Sequence, residues 1–198
     1  MKKIEIIWRE ILTETIERRI LKFQQQELAK KFDLSTSTIH HALTKPRAVG
    51  AVAVHGRGFE VTDMEKLLML WATERSVQKD VIYRISVDLP VLEIEGLLPG
   101  SVIPTAYTAY RFRYHDRPAD YDIVYCYSDK PEDVARRFDS DSRGQPNLII
   151  LSPDRHLREY TPCPPLPQLF VDLWNLPQWY ARDYQQAILA KIHASFGG

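Results

Sequence analysis

Apolar positions recur at helical spacing in the first third of the chain and at alternating spacing in the middle, and this change of period divides it in two. Ile7, Ile11 and Leu12 mark one face of a helix over residues 6–19, with glutamate and arginine opposite. Residues 20–23 suit a short strand. Leu28 and Phe32 are four apart and share a face of a second helix. Ile39 and Ala42 are three apart and share a face of a third. Leu34 falls between the two helices and plugs the turn, and the small Ala29 suits their close approach. Asp33 stands where a left-handed backbone is needed, which Asp tolerates better than most residues. Ser35 is a good N-cap for the third helix. Phe23 and Leu28 suit a hydrophobic staple at the start of the second helix, where Gln24 is a mediocre cap. Pro46 is expected to end the third helix. Residues 50–54 and 59–61 are β-prone and flank His55-Gly56-Arg57-Gly58, whose two glycines predict a tight hairpin. From Gln24 to Arg57 the outline is that of a winged helix-turn-helix. Thr62-Asp63-Met64-Glu65 reads as a capping box opening a helix over 63–76, with Leu67, Leu68, Leu70 and Trp71 on a broad apolar face.

Residues 78–80 form the expected boundary between a DNA-binding domain over 1–77 and a second domain over 81–198. Tyr83, Ile85, Val87 and Leu89 alternate with polar residues, as in a half-buried strand. Pro90 opens a short helix that ends near Gly96, and Pro104 opens another in PTAYTAYRFRY. Residues 121–127 suit a strand and 131–138 a helix opened by Asp129. The nearly all-apolar run 147–152 predicts a central strand. Beyond the rigid CPPLP segment, residues 168–174 and 179–194 suit two helices. The expected class is α/β (α+β): a winged helix-turn-helix followed by a small mixed domain with C-terminal helices.

Composition adds little to this picture and charge adds more. The chain has 198 residues, 44% hydrophobic and 26% charged, with a net charge of zero, as expected of a soluble globular protein. Residues 1–80 carry 14 basic and 11 acidic side chains, and the remainder 12 and 15. Between Leu34 and Phe59 there is no acidic residue, whereas His40, His41, Lys45, Arg47, His55 and Arg57 all lie there. A solvated helix face normally mixes both signs; a basic and hydroxyl-rich one suits phosphate. The sequence shows no bilayer-length apolar run, and its charged start is unlike a secretory signal. Cys126 and Cys163 lack metal-ligand or redox spacing and read as reduced thiols, so a cytoplasmic location is expected.

The expected partner is double-stranded DNA, met as an operator. The residues assigned to it are Ser35, Thr36, Ser37, Thr38, His40, His41 and Thr44 on the third helix, Lys45 and Arg47 at its exit, and His55 and Arg57 at the hairpin tip. The helix holds no Arg or Asn at its base-reading positions for a strong bidentate base contact, so Lys45, Arg47 and Arg57 are expected to supply phosphate affinity. Dimerisation is expected from the way such modules read paired half-sites.

Together with this module, PTAYTAYRFRY, YDIVYCY and the closing PLPQLFVDLWNLPQWYARDYQQAIL resemble AbiEi-type antitoxins, transcriptional regulators of type IV abortive-infection toxin–antitoxin systems. The most specific part is Gln168-Leu169-Phe170-Val171-Asp172-Leu173 followed by Leu176-Pro177. The resemblance implies an operator-binding N-terminus, negative autoregulation, and a cognate nucleotidyltransferase toxin that is countered without necessarily being bound.

Two other functions compete with this one. Gly100-Ser101 ahead of Asp120-Tyr121-Asp122 has the elements of a small nucleotidyltransferase, in which two carboxylates on one side of a strand share a metal. Against it, Gly100-Ser101 lies between Pro99 and Pro104, and no third carboxylate follows on the apolar strand. Glu132, Asp133, Asp139 and Asp141 read as solvated charges, and His115, His156 and His193 as isolated. No catalytic residue, cofactor or metal is therefore assigned. The third possibility is a protein-interaction adaptor built on the same helix-turn-helix.

Overall fold

The computed structural model describes residues 1–138 and 144–196; Asp139 and Asp141 lie outside the described residues. The first half runs α1 (Lys3–Arg18), β1 (Lys22–Gln24), α2 (Gln25–Phe32), α3 (Thr36–Ala48), β2 (Val52–His55), β3 (Gly58–Val61) and α4 (Met64–Glu74). The second runs β4 (Val81–Ile85), α5 (Val91–Leu97), β5 (Ile103–Thr105), α6 (Ala106–Tyr114), β6 (Val124–Tyr127), α7 (Pro131–Ala135), β7 (Leu148–Leu151), α8 (Leu166–Trp174) and α9 (Ala181–Phe196). The protein is mixed α/β with two sheets. The first is antiparallel in the order β1-β3-β2 and the second has the order β4-β7-β6-β5. No described helix is long and apolar enough to cross a membrane.

Several local expectations hold. Asp33 takes a left-handed backbone with φ 52° at the end of α2, and the Ser35 hydroxyl accepts the Thr38 N–H at 3.1 Å. The strand before α2 forms as β1, two residues later than expected, and pairs with β3. In the hairpin, His55 pairs with Gly58 and leaves Gly56-Arg57 as a two-residue loop, with Gly56 at φ 57°. β7 is wholly buried and central, parallel to β6 and antiparallel to β4.

Other expectations are corrected. Pro46 lies inside α3 and does not end it. A proline there lacks the N–H that would bond the carbonyl of residue 42. The Trp8 indole N–H takes that place, donating to the Ala42 carbonyl at 2.8 Å. The helix then stops at Ala48, and Ala51 N–H bonds the Pro46 carbonyl at 2.8 Å. Pro104 does not open a helix either. It sits in edge strand β5, where the missing N–H is tolerated, and α6 starts at Ala106. α4 is capped by Asp63, which accepts the Lys66 N–H at 2.9 Å, so Thr62 and Glu65 do not form the box. α7 begins after Lys130, and Asp129 instead binds Arg158. The first strand of the second half ends at Ile85. Beyond it the Asn147 side-chain amide holds both backbone groups of Val87, at 2.8 and 2.9 Å.

The hydrophobic core does not stop at residues 78–80. One buried cluster joins Ile7, Ile11 and Trp71 of the first half to Tyr127, Leu151, Phe170 and Tyr184 of the second. A smaller one, with Val124, Cys126, Leu148 and Ile150, fills the far face of the second sheet. Helix α1 packs on α3, α4 and α8 and carries the core from one half to the other. A polar network follows the same route. Asp172 accepts from Thr105 at 2.9 Å, from the Tyr127 hydroxyl at 2.6 Å and from Arg75 at 3.3 Å. Gln168 donates to the Tyr127 hydroxyl at 3.2 Å and accepts from Arg9 at 2.9 Å. Arg9 is fully buried and grips Asp154 through two bonds of 2.7 and 2.8 Å. Burial alone would weaken the charge on Arg75, but Tyr127, Asp172 and Asp80 outweigh it and hold the guanidinium protonated.

Candidate nucleic-acid interface

Helix α3 buries Ile39, Ala42, Leu43 and Pro46 and turns the rest outward. That spacing leaves Ser37, His41 and Thr44 at the crest of the outer face. His40 and Arg47 fall on the flank beside the hairpin, and Thr38 and Lys45 on the flank beside α4. On the hairpin side, His40, Thr44 and Arg47 meet Val54 across a shallow hollow of about 370 Å³. Thr36, Ser37, His40, His41, Thr44, Lys45, Arg47, His55 and Arg57 are all exposed. Ser35 and Thr38 are engaged locally, their hydroxyls 2.9 Å apart at the helix start, so they serve α3 before any ligand.

Two kinds of residue emerge from the assigned set. Arg47, Arg57, His40, His41 and His55 form no ion pair among the described residues, so their charge or hydrogen-bonding capacity faces solvent. Lys45 differs, because its ammonium binds the Glu74 carboxylate from the end of α4, which also meets Lys2 at 3.5 Å. The hydrogen bond from Lys45 holds Glu74 below the usual carboxylate range. The acid-free stretch of sequence therefore has one carboxylate delivered to its edge by the fold.

No local sequence pattern marks the side chains that hold this face in place. Trp8 looks like an ordinary apolar residue of α1, and only tertiary structure shows its indole at Ala42. Arg155, 123 residues downstream of Phe32, donates to the Phe32 carbonyl at the end of α2. His156 packs edge-on against the Phe32 ring, with centroids 4.9 Å apart. Lys31 of α2 binds Glu10 of α1, which also accepts from the Tyr160 hydroxyl at 2.6 Å. The turn between α2 and α3 is thus clamped by a segment of the second half.

The competing carboxylate pair does not assemble. β6 starts at Val124, so Asp120 and Asp122 lie in the preceding loop and not side by side on a strand. Asp120 is 94% exposed beside Arg117, and Asp122 accepts from the Tyr180 hydroxyl. Gly100-Ser101 forms a turn ahead of β5, where the Ser101 carbonyl accepts from Arg158 at 3.3 Å. Among the described residues no three His, Cys, Asp or Glu side chains cluster to hold a metal. Cys126 is fully buried, which pushes its thiol up to about 12, and it is not disulfide-bonded to Cys163.

Compared with protein-family models, curated proteins and solved structures, the chain matches none.

Proposed function

We propose that this protein is a double-stranded DNA reader of the winged helix-turn-helix kind, with α3 as the recognition helix and the β2–β3 hairpin as the wing. The observation that carries the reading is the outer face of α3 with the hairpin tip. It offers Thr36, Ser37, His40, His41, Thr44, Arg47, His55 and Arg57, all exposed, with no acidic residue between Leu34 and Phe59. Hydroxyls and imidazoles make single hydrogen bonds to base edges, and the arginines bind phosphate. Base discrimination per contact is modest in such a surface, and DNA shape and paired half-sites supply the rest. A homodimer on a two-fold operator is part of the proposal.

The resemblance of the tail to AbiEi-type antitoxins supplies the context: a cytoplasmic autorepressor whose operon encodes a nucleotidyltransferase toxin. The direct test titrates the protein against duplex DNA at two salt concentrations. Binding should fall steeply with salt, with a slope of about −0.9 per phosphate neutralised. Weak binding that does not change with salt would overturn the reading in favour of a protein-interaction adaptor.

A further inference from the structure

A cleft of about 890 Å³ opens between α1, β5 and the segment 158–165, where the two halves of the molecule meet. Its size falls within the range of sites for small molecules, and junctions of this kind are where such sites concentrate. Its walls include Phe112, Val102, Ile103, Pro162, Cys163 and Pro165. Phe112 is 40% exposed, a large ring left open to solvent. The charged groups around it are already committed. On the α1 wall, Glu10, Glu14 and Glu17 are held by Lys31, Arg18 and Arg113. Opposite, Arg158 is held by Asp129, Glu159 hydrogen-bonds His156 at 2.6 Å, and Glu95 is bound by Arg111. Several of these pairs are exposed to solvent; a charged ligand competes with them, whereas an uncharged apolar one seated on the apolar walls leaves them in place.

The same segment reaches the turn between α2 and α3. It lines the cleft through Arg158, Tyr160 and Cys163, while a few residues upstream Arg155 and His156 hold Phe32. Tyr160 also shares Glu10 with Lys31 of α2. Glu10, Lys31 and Tyr160 thus line the cleft and also tie α2 to α1. We propose that this cleft is a binding site for an uncharged apolar small molecule, and that its occupation shifts the α2–α3 turn. Any effect on operator affinity rests on the DNA-reading proposal; the coupling between cleft and turn does not.

Nile red, an uncharged apolar dye, is the probe. Cys163 gives a control, because Cys126 is fully buried and N-ethylmaleimide has only Cys163 to alkylate inside the cleft. The expected result is saturable dye binding that alkylation abolishes in the parent but not in Cys163→Ser. Amide hydrogen exchange at residues 30–38 should change roughly threefold when the dye is bound. Near-ultraviolet circular dichroism identifies any alkylated sample that has merely unfolded, and Cys163→Ser with free dye then carries the test alone. Absence of saturable binding would overturn the site, and binding with unchanged exchange would overturn the coupling. If the exchange changes but duplex DNA binds in neither state, the DNA reading fails and this inference stands.

Discussion

Helices α3 and α8 both carry polar residues four apart, and they use them in opposite ways. On α8, Gln168 and Asp172 are 0% and 1% exposed, and each is bonded by groups from other elements. On α3, His40 and Thr44 stand in solvent with nothing from another element bound to them among the described residues. A buried polar group without a partner costs roughly 1–3 kcal/mol, so the α8 pair must be satisfied for the chain to fold. An exposed polar face carries no such requirement. The polar residues of α8 therefore report on architecture, and those of α3 are the ones left free for a ligand.

The largest effect is expected on α8. Asp172→Ala takes from Arg75 its most deeply buried carboxylate, leaving Asp80, and strips acceptors from Thr105 and Tyr127. Breaking a buried ion pair from one side costs about 3–5 kcal/mol. Urea unfolding monitored by tryptophan fluorescence should show a loss of that order. A loss below about 1 kcal/mol would place Asp172 among the exposed polar residues energetically and dissolve the contrast with α3.

Next comes the contact that lets α3 contain a proline. Trp8→Phe keeps a smaller aromatic ring in the core and removes the N–H that satisfies the Ala42 carbonyl. The expected loss is about 1–3 kcal/mol. Pro46→Ala restores a backbone N–H one turn above Ala42, so in that background Trp8→Phe should cost about 1 kcal/mol less than in the parent. A double-mutant cycle on unfolding free energies measures this coupling, and additive losses would show that the indole bond does not compensate for the proline.

The outer face of α3 and the hairpin tip, proposed above to read DNA, should behave the other way. Arg47→Ala and Arg57→Ala are expected to leave stability within about 0.5 kcal/mol of the parent, as at other exposed positions. Each should weaken duplex binding roughly fivefold to tenfold at low salt and reduce the salt slope by about 0.9. Fluorescence anisotropy over a salt series checks both. Stability losses with an unchanged slope would make these arginines structural.

Much of this division was legible in the sequence, and the rest was not for definite reasons. Asp33, Ser35 and the Gly56-Arg57 loop are set by local chemistry, so the helix, turn, helix and hairpin could be read directly. The apolar run of β7 announced a central strand. Pro46 misled because its compensation comes from Trp8, 34 residues upstream of Ala42, and no local pattern encodes that distance. Pro104 misled because a proline opening a helix and a proline on an edge strand look alike until the strand order is known. The Asp120–Asp122 spacing suggested a shared face on a strand, but the strand begins two residues beyond Asp122 and the geometry is lost. The exposed face of α3 was legible as composition. Its division into two flanks was not, because Glu74 arrives from another helix.

That division gives the smallest effect and the most specific one. Lys45 and Arg47 stand two apart in sequence at the end of α3, and sequence alone assigns them the same role. In the structure Lys45 is bound to Glu74 and Arg47 is not. A lysine already neutralised by a neighbour releases fewer counterions on meeting phosphate, so Lys45→Ala should weaken binding less than Arg47→Ala does. Glu74→Gln frees the ammonium and removes a negative charge from the edge of the surface. Affinity for duplex DNA should then rise about threefold at low salt, and the gain should vanish near 0.5 M salt, where screening shortens the reach of exposed charges to roughly 4 Å. In the Glu74→Gln background Lys45→Ala should cost as much as Arg47→Ala. If Glu74→Gln leaves affinity unchanged while Lys45→Ala already matches Arg47→Ala in the parent, the two flanks of α3 are equivalent toward DNA and the pairing with Glu74 opens when DNA binds.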